Sequence, residues 1–391
     1  MIIPSEIKEY IHLHREEDVR KLALQKSQLS SDMHTFVLQQ ITGWQIAQKK
    51  VPSWANINDI IYPQHLSLEQ CSSEQTAQYK ASLLQPAGTF VDLTGGMGVD
   101  FSFMGRKFQQ AIYVEQNDYL CQLAAHNFPL LKLNALIKNE KSESAISQLS
   151  HADVIYLDPA RRDEKGRKVV SIADCTPNLL EIKDLLLEKS ASVWIKYSPM
   201  LDISLAIKEL GNVDAVHVVS FNNECKELLF HLSNENNTHV NVSCVNLKKD
   251  SCEKIEYQWN EEQDANLKIA QKIGSYLYEP NASIMKAGAF KIITNRYNVY
   301  KLGVCSHLYT SDTFIEDFPG RKFKVLSSFT MNKQQIKENL SDCKQANVAV
   351  RNFPLSAEQL KDKLKIKDGG KDYLFATTFC DQKILIKAAL A

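Results

Sequence analysis

The chain has 391 residues, of which 44% are hydrophobic and 24% charged, with a formal net charge of zero; this composition is ordinary for a globular protein, and the length predicts two or three domains. No apolar run reaches the about 18 residues that cross a bilayer, and the first residues lack the pattern of a signal peptide, so we expect a cytoplasmic protein with no membrane partner. The nine cysteines are scattered and form no Cys-x-x-Cys pair, which predicts reduced thiols and no metal site.

Residues 1–70 are predicted to form a helical N-terminal region. Val37, Ile41 and Trp44 repeat at helical spacing, so one face of this region packs against a core. After this region, Ser72 and Gln75 have the spacing of a capping box, which predicts a helix that begins at residue 73.

Residues 71–240 show the pattern of an α/β domain. Seven apolar segments read as strands, and helical stretches separate the first five: TFVDLTG, AIYVEQ, ALIKN, DVIYLD, SVWIKYS, AVHVVS and ELLFHLS. Apolar strands that alternate with helices predict a Rossmann-like parallel sheet covered on both faces. The last two segments follow each other closely, which favours an antiparallel edge.

The remaining residues divide into an α+β connecting domain, residues 241–320, and a smaller α+β domain, residues 321–391. Within the first, YLYEPNASIMKAGAF reads as turn-rich and then helical. The second reads as strand, helix, strand, helix, strand, strand, with a turn at Asp368-Gly369-Gly370.

The last domain is basic. Residues 321–391 hold 14 Lys and Arg against 7 Asp and Glu, and the rest of the chain is acidic by the same margin. A basic module on an acidic body indicates a polyanionic partner. Lys363, Lys365 and Lys367 alternate along one segment, so we expect them to project together from an extended chain. A lysine-rich solvated face is the alternative.

The segment VDLTGGMGVDF at 91–101 is the most informative stretch for a binding site. A strand brings Asp92 to its carboxyl end, and Gly95, Gly96 and Gly98 follow in a tight loop before a helix. Glycines allow positive φ and let a ligand lie against the backbone, and ligands of open α/β sheets bind at the carboxyl ends of the strands. The spacing of a phosphate-binding loop is absent.

Glu115 ends the second predicted strand, 17 residues after Gly98. An acid at this position can accept hydrogen bonds from both hydroxyls of a ribose. Together with the glycine loop it predicts a cofactor that contains a nucleoside.

VDLTGGMG, VEQND and VIYLDPAR, in this order and spacing, resemble three motifs of class I S-adenosylmethionine-dependent methyltransferases. The resemblance covers roughly residues 72–235. It implies S-adenosylmethionine as the cofactor, held by Asp92, Thr94, Gly95, Gly96, Gly98 and Glu115. The third motif of that family carries an acid near the adenine. Glu140 or Lys141 occupies that place here, which leaves the adenine contacts open.

Asp158, Pro159 and Arg161 are the candidate catalytic residues. Amino-group methyltransferases have Asp or Asn, two prolines and an aromatic residue here; this chain has Ala160 for the second proline and Arg161 for the aromatic. The carboxylate localises the lone pair of an amine, and arginine can stack on a base or hold a phosphate. The departure leaves the target atom open, and Asp-Pro is also a common turn.

A covalent mechanism through a cysteine is the other chemistry to consider. Some RNA uridine methyltransferases have a cysteine just after strand five, where this chain has WIKYSPMLD without one. Cys225 follows strand six and could approach the pocket, with an inert turn thiol as the alternative.

YEPNASIMKAGAF and VRNFPLSAEQLKDKLKIKDGGKDYLFAT are similar to a family of bacterial methyltransferases with a C-terminal THUMP-like domain. That family has a ferredoxin-like module in this part and is expected to bind RNA. The resemblance does not imply which substrate is methylated. From the methyltransferase motifs, Asp158 and the basic module together, we expect an enzyme that methylates rRNA or tRNA, at a base nitrogen. A small-molecule or DNA amine methyltransferase and a non-catalytic RNA-binding protein on a methyltransferase scaffold remain alternatives.

Overall fold

The computed structural model describes residues 3–25, 29–63, 65–86, 88–161, 171–235 and 239–391. Within these ranges, no helix combines the length and the apolar character needed to cross a membrane. The chain divides into two compact units. The first unit comprises residues 1–216 and 227–238, and the second comprises residues 217–226 and 239–391. The division into four domains stays a prediction.

The N-terminal part of the first unit is helical, as the sequence predicts. Its helices are α1 Ser5–His14, α2 Val19–Leu24, α3 Ser31–Lys50, α4 Pro52–Ala55, α5 His65–Gln70 and α6 Glu74–Leu83. Val37, Ile41 and Trp44 are buried along one face of α3, which confirms the periodicity.

The prediction for the start of α6 was wrong by one residue. Ser73 caps the helix, because its hydroxyl accepts a hydrogen bond from the backbone N–H of Thr76. Two adjacent serines offer the same capping chemistry, and the hydroxyl of Ser72 instead donates to Asp100 Oδ2 at 2.8 Å. Ser72 is therefore free of the cap and belongs to a buried polar cluster.

The first unit contains the predicted seven-stranded sheet. These seven strands run in the order β8-β9-β7-β4-β1-β2-β3 and form part of a sheet of nine strands. The neighbours among β7, β4, β1, β2 and β3 are parallel. Strand β9 runs antiparallel to β7, as predicted, but it lies between β8 and β7 and is therefore not at the edge of the sheet. The strands are β1 Thr89–Asp92, β2 Gln110–Val114, β3 Ala135–Lys138, β4 Val154–Leu157, β5 Ala160–Arg161, β6 Cys175–Thr176, β7 Val193–Tyr197, β8 Val213–Phe221 and β9 Glu224–Leu232.

Helices connect these parallel strands: α7 Val99–Met104, α8 Asp118–Leu130, α9 Ser142–Gln148, α10 Leu179–Lys189 and α11 Ile203–Leu210. β5 and β6 form a separate two-stranded pair, and parts of β8 and β9 belong to the second unit. An aromatic cluster packs beneath the glycine loop, with the rings of Phe101 and Phe128 stacked at 5.0 Å and Tyr113 edge-on to Phe128. This cluster fixes the floor of the loop that follows β1.

The second unit contains its own seven-stranded sheet, in the order β13-β14-β12-β15-β18-β17-β16. The strands of that sheet are β12 Tyr276–Pro280, β13 Tyr300–Gly303, β14 Ser306–Ser311, β15 Gly320–Thr330, β16 Gln345–Val350, β17 Lys367–Phe379 and β18 Gln382–Leu390. The unit also contains β10 Asn241–Leu247 and β11 Cys252–Gln258, which pair with each other. Its helices are α12 Trp259–Asp264, α13 Ala282–Ala287, α14 Phe290–Arg296, α15 Lys333–Leu340 and α16 Ala357–Leu364.

Two local predictions in the second unit were wrong. The segment that reads as turn-rich begins with strand β12, because its apolar residues pair with β14 and β15. Asp368-Gly369-Gly370 lies inside β17 and is not a turn between elements. Gly369 and Gly370 have φ of 94° and 88°, and the pairing of β17 with β16 shifts register there. The glycines therefore make a bulge within a long strand.

Candidate functional site

The sequence-predicted site residues meet at the carboxyl edge of the first unit's sheet. Asp92 ends β1, Glu115 follows β2 and Asp158 follows β4, and these strands are parallel neighbours. Lys196 lies near the carboxyl end of β7, beside β4. Because parallel strands end at one edge, residues distant in sequence come together at the position where α/β sheets bind ligands.

The glycines of the loop after β1 serve two different purposes. A Cβ on Gly95 would collide with the ring of Tyr113, and one on Gly98 would lie 2.8 Å from the ring of Phe128. These two positions must be glycine because a side chain would clash with the aromatic rings beneath the loop. Gly96, with φ of 54°, has nothing nearer than 3.8 Å around its missing Cβ. The open backbone that suits a ligand is therefore at Gly96.

Glu115 is held rigidly against this loop. Its Oε2 accepts a hydrogen bond from the backbone N–H of Gly96 at 2.9 Å, and its Oε1 accepts one from Asn117 at 2.8 Å. Each carboxylate oxygen can accept a further hydrogen bond. Glu115 can therefore accept ribose hydroxyls without giving up its contacts to the backbone.

Asp92 and Thr94 support the loop from within. Asp92 is only 1% exposed and accepts the backbone N–H of Thr94 at 2.9 Å; burial raises the pKa of its carboxyl group well above the ordinary value. The Thr94 hydroxyl accepts the backbone N–H of Asp158 at 2.6 Å. These bonds connect the glycine loop to the turn after β4, and the geometry gives Asp92 a structural place beneath the glycine loop.

The region of the third motif offers one contact that the sequence analysis missed. The side-chain amide of Asn139, directly after β3, donates to the backbone carbonyl of Glu115 at 2.9 Å. Glu140 accepts from Ser144 and Gln148 on α9. An amide directly after a strand of the sheet was the available signal for Asn139.

The two oxygens of the Asp158 carboxylate have different surroundings. Its Oδ2 lies 2.5 Å from Nζ of Lys196, and its side chain is 39% exposed while that of Lys196 is 10% exposed. Among the described residues, the one ion pair given for Asp158 is this contact through Oδ2. One carboxylate oxygen is therefore fixed and the other is available to a substrate.

Lys196 belongs to a buried cluster of charges that the sequence analysis did not predict. Nζ of Lys80 lies 3.2 Å from Asp100 Oδ1 and 2.5 Å from Glu227 Oε1, and all three side chains are almost completely buried. Together with the Lys196–Asp158 pair, the cluster holds two ammonium groups and three carboxylates. It therefore carries one net negative charge when the carboxylate of Asp158 is counted in it.

The buried charges stabilise each other. Burial alone would raise the pKa of Asp100, but Lys80 and Lys196 outweigh it and hold that pKa well below its ordinary value. Burial alone would lower the pKa of Lys196, but Asp158 and Asp100 outweigh it and hold that pKa well above its ordinary value. Lys196 therefore stays an ammonium group at neutral pH.

The rest of the predicted catalytic turn is described only in part. Pro159 is buried, and Ala160–Arg161 form β5, which pairs with β6. The side chain of Arg161 lies outside the described residues, so its predicted stacking or phosphate contact stays a prediction. Cys225 lies in the second unit and is partly buried.

The lysines of the basic C-terminal segment are arranged differently from the prediction. Lys361 and Lys363 lie on helix α16, Lys365 ends that helix in a left-handed conformation, and Lys367 begins β17. Lys361 is paired with Asp368 at 3.1 Å. The expectation of one extended segment was wrong, because the burial of Leu360 stabilises a helix there. Lys363, Lys365 and Lys367 are nevertheless all exposed.

No group of three or more metal-ligating side chains occurs in the part of the chain that the structure describes. Family models match the second unit twice: a ferredoxin-like domain at residues 276–319 and a THUMP domain-like model at residues 320–388. A search of curated proteins found no match.

Solved structures match the whole chain or part of it. A candidate methyltransferase from Porphyromonas gingivalis W83 is 33% identical over 100% of both chains, with a TM-score of 0.89. A candidate class I S-adenosylmethionine-dependent methyltransferase from Listeria monocytogenes is 11% identical over 62% of this chain and 94% of its own, with a TM-score of 0.38.

Proposed function

We propose that this chain, which belongs to the family of class I S-adenosylmethionine-dependent methyltransferases with a C-terminal THUMP-like domain, methylates a base nitrogen in rRNA or tRNA. The observation that carries the proposal is the state of Asp158. One of its oxygens is fixed by Lys196, and the other is open at the carboxyl edge of the sheet, next to the glycine loop.

The residues around the glycine loop fit S-adenosylmethionine. Gly96 leaves open space at the backbone, and both oxygens of Glu115 can accept a further hydrogen bond. Glu115 would hold the ribose, and the loop at Gly96 would lie beneath the methionine part. When bound, the cofactor supplies an electrophilic methyl group on a sulfonium.

Asp158 has the right chemistry for an amine acceptor. Its open Oδ1 can accept an N–H of an exocyclic amino group, which localises the nitrogen lone pair away from the aromatic base. As the nitrogen gains a methyl group it becomes positively charged, and the net negative charge around Asp158 and Lys196 stabilises that charge. Asp158 is also placed to take the proton that the nitrogen then loses.

RNA is the substrate class that the second unit favours. The THUMP domain-like match spans residues 320–388, and residues 321–391 carry a surplus of seven positive charges. A surplus of this size suits a phosphate backbone. Lys363, Lys365 and Lys367 are exposed and contribute to it.

The test is transfer of a labelled methyl group. The purified protein is incubated with S-adenosylmethionine that carries a trideuterated methyl group and with unmodified rRNA, tRNA or DNA in separate reactions. Mass spectrometry of the nucleosides should find the label in RNA and on a base. Label only in DNA, or in no nucleic acid, would contradict the proposal.

A thermal shift with S-adenosylmethionine separates the non-catalytic alternative. A ligand at about 100 times its dissociation constant stabilises a protein by roughly 2.7 kcal/mol. Stabilisation together with label transfer supports an enzyme. A protein that binds RNA but is not stabilised by S-adenosylmethionine would be an RNA-binding scaffold.

A further inference from the structure

Three oxygen atoms of the protein lie around the ammonium group of Lys196. Its Nζ lies 2.5 Å from Asp158 Oδ2, 3.3 Å from Ser72 Oγ and 3.4 Å from Asp100 Oδ2. The side chain is 10% exposed. An ammonium group has three N–H donors, so these three partners match its donors in number.

The two inner partners of Lys196 are themselves fixed. Ser72 donates to Asp100 Oδ2 at 2.8 Å and accepts a hydrogen bond from Lys80 at 3.1 Å. Asp100 also accepts the hydroxyl of Tyr156 at 2.8 Å. Because Ser72 and Asp100 cannot turn without breaking buried hydrogen bonds, the direction of the Lys196 ammonium is determined by the core of the first unit.

We propose that Lys196 is a positioning residue whose task is to fix the rotamer of Asp158, so that Oδ1 always faces the amino group to be methylated. The backbone of Asp158 is held separately, by the hydroxyl of Thr94. Thr94 holds the backbone of Asp158 in position, and Lys196 holds the orientation of the Asp158 carboxylate. The inference rests on the proposed function for its effect on turnover, but not for its effect on geometry.

The geometric consequence can be measured without a substrate. Crystal structures of the wild type and of Lys196→Met are compared; methionine has a similar length and no donors. We expect the Asp158 carboxylate to leave its single rotamer and to occupy other or multiple positions, while the bond between Thr94 and the Asp158 backbone remains. An Asp158 carboxylate in the wild-type position would overturn the proposal.

Lys80→Met is the matched control. Lys80 shares Asp100 and Ser72 with Lys196, and its side chain is completely buried, but the structure gives it no contact with Asp158. We expect Lys80→Met to lower the unfolding temperature at least as much as Lys196→Met and to leave the Asp158 rotamer as in the wild type. Equal displacement of Asp158 in both variants would mean a general packing effect and would contradict a specific role of Lys196.

The kinetic consequence is tested by a double-mutant cycle. Lys196→Met should lower turnover on RNA by about 10-fold to 100-fold, as expected for a misplaced catalytic group, without a change in the affinity for S-adenosylmethionine. If Lys196 acts through Asp158, then Asp158→Ala with Lys196→Met should be no slower than Asp158→Ala alone. Multiplying losses would show an independent role for Lys196.

The crystal structures and the kinetic measurements together distinguish a failure of the positioning role from a failure of the proposed function. If the wild-type protein transfers no methyl group to RNA, the proposed function fails, and the crystal structures still decide whether Lys196 orients Asp158. If the wild type is active and Lys196→Met keeps full turnover, the proposed function stands and the positioning role is wrong. Ser72→Ala, which removes one support of Lys196 but no charge, provides a milder variant should Lys196→Met fail to fold.

Discussion

Glu115 and Gly96 are joined by a hydrogen bond of 2.9 Å from the Gly96 backbone N–H to the Glu115 carboxylate. This bond connects the end of β2 to the loop after β1. It places a rigid acceptor beside the one glycine of the loop whose missing Cβ faces open space. A carboxylate held in this way would lose little conformational freedom on binding a ribose, which would favour tight binding of the ligand.

We predict that Glu115→Ala weakens the binding of S-adenosylmethionine by about 1.5–3 kcal/mol, the range for hydrogen bonds to a charged group. Isothermal titration calorimetry with the folded variant measures this. Glu143→Ala, which removes the same charge from an exposed position on α9, should bind with wild-type affinity. Equal affinities for all three proteins would remove Glu115 from the cofactor site.

Asp158→Ala tests the chemical step. We predict that turnover falls by about 100-fold or more, because a positioned polar group is lost, while the affinity for S-adenosylmethionine stays within a few fold. Asp158 can then be distinguished from a turn residue by its turnover with saturating cofactor. Wild-type turnover in a folded Asp158→Ala protein would contradict the assignment.

Cys225→Ser is the companion variant, because it tests the covalent alternative. If the reaction takes place at a base nitrogen, no thiol is needed and the variant should keep wild-type turnover. Loss of activity in a folded Cys225→Ser protein would instead favour a covalent mechanism at a carbon atom.

The sequence predicts the outer parts of this site better than its interior. Asp92, Glu115 and Asp158 each follow an apolar segment, so their place at one sheet edge follows from the parallel order of the strands. The buried cluster could not be predicted in the same way. Lys196 and Ser72 are 124 positions apart, and only the packing of α6 against the sheet domain brings such residues together.

One signal for the cluster was nevertheless present. Lys196 interrupts the apolar strand VWIKY, all of which is buried, and a buried charge requires a partner of opposite charge. For the C-terminal lysines, the sequence pattern instead led to a wrong prediction. The alternation KLKIK reads as an extended segment, but Leu360 and the capping box of Ser356 and Gln359 favour a helix.

The pH dependence of stability should report the charge of Asp100. Its pKa is lower in the folded protein than in the unfolded chain, so its ionised form stabilises the fold above about pH 4, and that contribution is lost as the pH falls through the folded value. We predict that Asp100→Asn lowers stability strongly at pH 7 and that the difference from the wild type shrinks toward pH 3.

The measurement is urea unfolding of both proteins at several pH values. Tryptophan fluorescence suits the first unit, where Trp44, Trp54 and Trp194 are buried. A gap between the two proteins that does not change between pH 7 and pH 3 would show that the Asp100 carboxylate is not stabilised by Lys80 and Lys196.

The lysines at the end of α16 test the RNA contact. A protein that neutralises Z phosphates of a single strand shows a salt slope of about −0.7Z. Replacing Lys363, Lys365 and Lys367 by alanine should therefore weaken RNA binding and flatten the slope by about 2, as measured by fluorescence anisotropy across a salt series.

The control for this experiment is an alanine variant of three exposed lysines of the first unit. They are Lys21, Lys132 and Lys208. The control changes the net charge equally and should keep a slope closer to that of the wild type. The same affinity and slope in both variants would mean that the lysines near α16 are a solvated face and that RNA binds elsewhere.

The most direct test of the central claim is mass spectrometry of the modified nucleosides in rRNA and tRNA from three strains. One strain has the wild-type protein, one lacks it, and one has Asp158→Ala in its place. We predict that one nucleoside methylated at a base nitrogen is present in the first strain and is absent or strongly reduced in the other two. Identical nucleoside profiles in all three strains would contradict the claim that this protein methylates RNA through Asp158.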